Sequence, residues 1–138
     1  RLDFLLGNGT AALTNKLSIL ENGNVGINDN TPSYKLDVNG TGRFTSTVTA
    51  TNFILSSDET LKDNIKEIDT KHVDVDWKNF ELKSEPGIKR AGVIAQELEI
   101  KHPEFVRTAD DGLKSVAYID LLITKIAELE ARLEKLEK

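Results

Sequence analysis

The C-terminal segment repeats an apolar residue at alternating intervals of three and four positions, and this pattern restricts the fold more than any other feature of the chain. The spacing is that of the a and d positions of a coiled coil, so it predicts one long helix over about 116–138. Isoleucine at a with leucine at d favours two strands by the simplest rule, so the heptads alone do not separate a dimer from a trimer. The six residues of this apolar row are Ile119, Leu122, Ile126, Leu129, Leu133 and Leu136.

Charged residues beside the apolar row favour self-association in parallel. Lys125 and Arg132 fall at g positions, whereas Glu130 and Glu137 fall at e positions. In a parallel coiled coil the g residues of one chain face the e residues of its neighbour, so these charges attract. The alternative, a single amphipathic helix that packs on its own domain, stays open.

Charge divides the chain into two halves of different character. Residues 1–56 hold four basic and four acidic groups, so the whole net charge of −5 belongs to residues 57–138. Neither half has the basic face of a nucleic-acid-binding protein, and no apolar run approaches the roughly 18 residues of a membrane span. The chain contains no cysteine, and its start at Arg1 without any methionine indicates a piece of a longer polypeptide.

The first half, residues 1–56, is typical of short strands separated by turns. Asn22-Gly23 and Asn39-Gly40 supply the positive φ angles that tight turns need. These strands carry too few large apolar groups to build a compact core alone. The composition therefore predicts the end of a β-rich stalk in which identical strands from several chains intertwine.

The second half, residues 57–138, predicts a mixed α/β module, which makes the whole chain α+β. Ser56 and Glu59 fit a capping box at the start of a helix-compatible stretch that ends near Asp69. Strands are expected over 77–82 and 90–95, and a short helix over 96–101. From Ser115 onward the pattern is helical.

Four ordered blocks carry a resemblance to a known family. The run S-D-E-T-L-K-D-N-I from Ser57 resembles the start of the intramolecular chaperone domain at the C-termini of phage tailspikes and tail fibres, classed as peptidase family S74. It also resembles the autoprocessing region of the myelin regulatory factor. Residues 92–98 (G-V-I-A-Q-E-L) with Pro103-Glu104, residues 116–122 and the terminal heptads match in order. Residues 23–40 are similar to a phrase common in phage fibre stalks.

The resemblance implies a self-cleaving serine endopeptidase that acts once, in cis, and needs no cofactor. Ser57 would be the nucleophile, Lys62 its base, and the bond between Ser56 and Ser57 the cleavage site. Gln96 and Glu97 belong to the family block, and a structural role is favoured for them over contact with the site. The positions that match the motif and support the site are Asp58, Leu61, Asn64, Ile65, Gln96 and Glu97.

Spacing and energetics place two conditions on this dyad. Residues five apart lie about 140° apart around a continuous α-helix, so Ser57 has to precede the first turn if Lys62 is to reach it. A free lysine has a pKa near 10.4, so only about one in a thousand is neutral at pH 7.4. We therefore expect that a neighbouring chain must cover the site and remove water from it, which would make cleavage depend on assembly.

Partners and location follow from the same resemblance. It implies a homotrimer that aligns the upstream fibre domain of the same polypeptide, as part of a virion tail-fibre or tailspike precursor, with the chaperone acting in the host cytoplasm until release. No nucleic-acid or membrane partner is expected, because the chain has neither a basic face nor a long apolar run, and no metal site is expected, because His72 and His102 are isolated. The alternatives are a non-cleaving trimerisation tip, a receptor-binding fibre tip and a fragment of a membrane-bound transcription factor.

Overall fold

A computed structural model describes residues 1–6 and 14–138 of the chain. They divide into two compact units, Arg1–Ser56 and Ser57–Lys138, so the division falls between Ser56 and Ser57. Each unit combines short elements from its own half of the sequence. Strands and helices both occur, which confirms the α+β class; threefold association and an intertwined β-fibre remain predictions.

Unit 1 is a four-stranded sheet in the order β1-β2-β3-β4. The first three strands are antiparallel, β4 lies parallel to β3, and β1 has a bulge between Phe4 and Leu5. The Asn22-Gly23 turn joins β2 to β3 as its dipeptide predicts, with Gly23 at φ +80°. The strands are β1 (Leu2–Leu6), β2 (Thr14–Ile19), β3 (Val25–Ile27) and β4 (Leu36–Val38).

Large apolar side chains of unit 1 stay in contact with solvent. Among its described residues no large apolar side chain is buried, and the most enclosed side chain is that of Ser18. Residues 39–56 form neither strand nor helix, and every one of them is exposed. Within one chain, therefore, this unit buries too little apolar surface to account for its own stability.

Unit 2 alternates hairpins and helices. A 3₁₀ turn at Glu59–Leu61 is followed by chain without helix or strand up to the first hairpin, and a second 3₁₀ turn, Pro103–Phe105, precedes the second hairpin. Both hairpins are antiparallel. The elements are β5 (Lys78–Glu81), β6 (Lys89–Gly92), α1 (Ala95–Lys101), β7 (Val106–Thr108), β8 (Lys114–Val116) and α2 (Tyr118–Leu136).

A small apolar core lies entirely within unit 2. One residue comes from the chain before β5, and the others come from the β6–α1 connection, α1, the second 3₁₀ turn, β7 and α2. Removing side chains of this size from water contributes about 1.5–3 kcal/mol each. Unit 2 therefore forms a small apolar core within one chain. Its buried residues are Val73, Val93, Leu98, Phe105, Val106 and Leu121.

Three sequence-based boundaries are wrong. The predicted helix-compatible stretch up to Asp69 is a single 3₁₀ turn capped by Asp58 rather than Ser56, and Asn64 at φ +54° prevents a right-handed helix from continuing. The strand expected over 90–95 ends at Gly92. Residues 114–116, expected partly in the last helix, pair with β7 as strand β8, because partners distant in sequence override local helical propensity.

Candidate active site

Ser57 and Lys62 lie in contact at the start of unit 2. The Lys62 Nζ lies 2.7 Å from the Ser57 hydroxyl oxygen and 2.9 Å from the Ser57 carbonyl oxygen. The intervening 3₁₀ turn ends at Lys62, whose backbone is extended, and this geometry lets its side chain fold back toward Ser57. The spacing of five thus supports a serine–lysine contact across a turn, as it could not across a continuous helix.

Asp58 shapes the turn that brings the two residues together. Its carboxylate accepts hydrogen bonds from the Thr60 hydroxyl at 2.6 Å and from the Thr60 backbone N–H at 2.9 Å. These bonds hold the pKa of Asp58 below its usual value. Asp58 therefore stays ionised at neutral pH and acts as the cap of the turn.

The dyad sits on an exposed stretch of chain, residues 57–71, which we call the arm. Every residue of the arm is exposed, and each hydrogen bond described within it joins residues at most five positions apart. Leu61 and Ile65 are 69% and 64% exposed, although both belong to the family motif. In a single chain, water therefore reaches both members of the dyad.

Gln96 and Glu97 point to solvent from the first turn of α1. Glu97 pairs with Lys78 at 3.2 Å, and no contact of either α1 residue with the dyad occurs in the part of the chain that the structure describes. Their neighbours in the same block do build the fold, since Val93 and Leu98 are core residues. The structural role of this block thus lies in its apolar positions.

Tyr118 is a structural residue that the sequence pattern did not single out. Its hydroxyl accepts a 2.9 Å hydrogen bond from the Val93 backbone N–H. A Cβ atom on Gly92 would collide with that hydroxyl and lie 3.1 Å from the Tyr118 Cζ and 3.2 Å from the Phe80 ring. The glycine of one family block therefore leaves room for the tyrosine of another. The presence of both residues in the sequence was the signal that could have indicated this contact.

Glu128 is a second residue that sequence reasoning missed. It is 1% exposed in α2, and its Oε2 accepts hydrogen bonds from the Val73 N–H at 3.1 Å and Lys125 at 2.6 Å. Its Oε1 lies 2.8 Å from the His72 Nδ1 and accepts a 3.3 Å bond from Arg132. The bonds from Lys125, His72 and Val73 outweigh burial and hold the pKa of Glu128 far below its usual range.

Helix α2 packs on unit 2 through a face that the heptad pattern does not mark. Leu121 and Glu128, seven residues apart, are its buried positions, whereas all six residues of the apolar row are exposed. Lys125 and Arg132, expected to face a neighbour's glutamates, contact Glu128 of their own chain. The alternative of a helix packed on its own domain therefore accounts for one face of α2 and leaves the apolar row uncovered.

No helix within residues 1–6 and 14–138 is both long and apolar enough to cross a membrane. Over the same residues, no group of three or more metal-binding side chains lies close enough together to hold an ion.

Comparison with known proteins identifies the segment that carries the dyad. A family model described as Peptidase S74, chaperone of endosialidase, matches residues 57–107. No curated protein matches the chain, and no solved structure matches it either. The match begins at Ser57 and runs from the arm through both hairpin strands β5 and β6 and helix α1 into β7. The match over residues 57–107 supports a chaperone domain of the Peptidase S74 type in this part of the chain.

Proposed function

We propose that unit 2 is an intramolecular chaperone that assembles three chains of a phage tail fibre or tailspike and then releases itself by cutting the Ser56–Ser57 bond. The observation that carries this proposal is the 2.7 Å contact between the Lys62 Nζ and the Ser57 Oγ at the first residue of the family match. The reaction is a single turnover in cis and uses no cofactor. Ser57 and Lys62 act as the catalytic dyad.

The proposed reaction begins with proton transfer from serine to lysine. Neutral Lys62 takes the hydroxyl proton of Ser57 as the Oγ bonds to the carbonyl carbon of Ser56. The bond from that carbon to the Ser57 nitrogen breaks, and the nitrogen takes up a proton, which leaves an ester between the two residues. One water molecule then hydrolyses the ester, giving a carboxylate on Ser56 and restoring the Ser57 hydroxyl on the released part.

Exposure of the arm argues that this reaction needs association of chains. A lysine in water is almost entirely protonated at neutral pH and then donates to a hydroxyl instead of accepting its proton. Covering the arm with a neighbouring chain would remove water and favour the neutral amine. The exposed Leu61 and Ile65 supply apolar surface for such a contact.

The uneven burial of the two units supports the chaperone role. Unit 2 has a core of its own, whereas unit 1 exposes most of its described large apolar side chains and buries none of them. An intertwined stalk forms through contacts between chains and between distant residues, which makes unaided folding slow and prone to aggregation. Three aligned copies of α2 would hold the stalk strands in register, and release after folding would leave a fibre whose persistence is kinetic.

Intact-mass analysis of the full chain tests the cleavage. The wild type should yield a C-terminal fragment that begins at Ser57, whereas Ser57→Ala and Lys62→Ala chains should stay whole. Lys66→Ala is the matched control, since Lys66 is an exposed lysine of the same arm, and it should be cut like the wild type. An uncut wild-type trimer, or a Lys62→Ala chain cut at the wild-type rate, contradicts the proposal.

Solvent exposure of the dyad favours one rival, a trimerisation tip that is never cut. The same mass measurement separates the two, because the tip would keep residues 57–138 after assembly. A second rival, a receptor-binding tip, requires residues 57–138 to remain on the mature fibre for it to bind host cells. If fibres that have lost residues 57–138 still bind host cells, unit 2 is not the adhesin.

A further inference from the structure

The arm meets the folded part of unit 2 at His72, whose Nδ1 lies 2.8 Å from the Glu128 Oε1, and at Val73, which helix α2 holds at both backbone polar groups. The Val73 N–H donates to the Glu128 Oε2 at 3.1 Å, and the Val73 carbonyl accepts from the Lys125 Nζ at 2.8 Å. Lys125 and Glu128 are also bonded to each other at 2.6 Å. We call this pair, with its two bonds to Val73, the clamp.

The position of the clamp along the chain suggests its purpose. Val73 is the first buried residue after the arm, whose residues are all exposed. The clamp therefore fixes where the arm leaves the domain, and it does so on the helix that also carries the apolar row. Eleven positions along the chain separate Lys62 from Val73, so the root of the arm limits where the dyad can lie.

The chemistry of the clamp favours positioning over stabilisation. A buried ion pair rarely contributes more stability than apolar side chains of similar size, because both charges lose hydration. Apolar side chains could fill the same space, but they could not bond the N–H and the carbonyl of Val73 and so could not orient its backbone. Lys125 and Glu128, three residues apart on α2, bond the carbonyl and the N–H of Val73 respectively.

We propose that Lys125 and Glu128 are positioning residues for the cleavage: by fixing the root of the arm on α2, they make association of the apolar rows bring each dyad to an equivalent place. This inference rests on the proposed self-cleavage. The clamp then links the association of chains to the placement of the dyad. Neither Lys125 nor Glu128 touches the reacting atoms.

Two independent changes test the clamp in full-length chains. Lys125→Met removes the bond to the Val73 carbonyl, and insertion of two glycines between Asp69 and Thr70 lengthens the arm without touching the clamp. Compared at equal folded and trimeric fractions, each should slow cleavage by about tenfold or more, since small misplacements of reacting groups are costly. Lys135→Met, on the exposed part of the same helix, should cut at the wild-type rate.

A second readout separates failure of this inference from failure of the proposed function. In assembled Ser57→Ala chains, which cannot cut, the arm lysines Lys62 and Lys66 should resist trypsin, and Lys125→Met should make them sensitive again. Wild-type cleavage rates in both altered chains, or equal trypsin resistance with and without Lys125, would overturn the role of the clamp. If the wild type is not cut but trypsin resistance still depends on Lys125, the positioning role of the clamp stands and only the proposed proteolysis is contradicted.

Discussion

Gly92 is the residue at which two family blocks meet. A side chain there would collide with the Tyr118 hydroxyl, which accepts the Val93 N–H, and would also press against the Phe80 ring. Because protein interiors are close-packed, such a contact has to be relieved by moving the tyrosine or the strand. The packing of β6 against the start of α2 therefore depends on the absence of a Cβ at this one position.

We expect Gly92→Ala to destabilise unit 2 by about 1–3 kcal/mol, the usual range for an overpacked core. Chemical unfolding of the uncleavable Ser57→Ala chain measures this. The penalty should shrink when Tyr118→Phe is added, since the colliding oxygen is then removed. Gly42→Ala is the control, because a Cβ there meets only the edge of the Phe44 ring, at 3.9 Å. Equal effects of the two alanines would contradict the packing argument.

The carboxylate of Glu128 makes the stability of unit 2 fall at low pH. Its folded-state pKa is far below the ordinary value of 4.5, so the carboxylate stabilises the fold fully above that value. The contribution is lost progressively as pH falls below about 4.5 and toward the folded-state pKa. We expect Glu128→Gln, made in the Ser57→Ala chain, to lower the melting temperature at pH 7. The difference in melting temperature between the two chains should become smaller as pH falls toward 3. A constant difference from pH 7 to pH 3 would contradict this account.

At the scale of elements, α2 serves two surfaces at once. Its buried positions, Leu121 and Glu128, recur every seven residues and face unit 2. The apolar row recurs in the same heptads on another side of the helix and remains exposed. The apolar row is therefore uncovered in the single chain although α2 is packed on unit 2, and the proposed trimer would use this second face.

We expect Ile126→Asp to weaken trimer formation by at least about tenfold, because each Ile in the row buries apolar surface in every chain. The fold of the single chain should be unchanged, since Ile126 is 55% exposed there. Sedimentation measures association, and cleavage should fall with the trimeric fraction. Ile100→Asp introduces the same change at an exposed isoleucine of α1 and should lower neither the trimeric fraction nor the cleavage rate. Rapid cutting in a chain shown to be monomeric would refute the dependence on assembly.

The whole molecule is asymmetric in both charge and burial. Unit 1 is neutral overall and leaves most of its described large apolar residues exposed, whereas unit 2 carries the net −5 and has its own core. A unit that buries a core within one chain depends less on association than a unit that buries none. This asymmetry supports the proposed order, in which unit 2 forms and associates first and the stalk follows.

The sequence by itself determined the features that depend on local spacing. The apolar row, the Asn22-Gly23 turn, the α+β class and the family motif at Ser57 all depend on residues close together in the chain, so they are visible without coordinates. The five-residue spacing also set the requirement that Lys62 fold back across a turn. The contact between the two dyad residues agrees with that requirement.

Only the tertiary structure decided the features that depend on distant partners. The stretch after the first turn does not continue as a helix because Asn64 takes a left-handed conformation, and residues 114–116 become a strand because β7 lies beside them. Glu128 lies in the heptad segment, and it is its contact with Val73, 55 positions away in the chain, that marks it as a buried residue. Burial is a property of the folded neighbourhood, and spacing along one helix cannot reveal which of two faces a distant segment will cover.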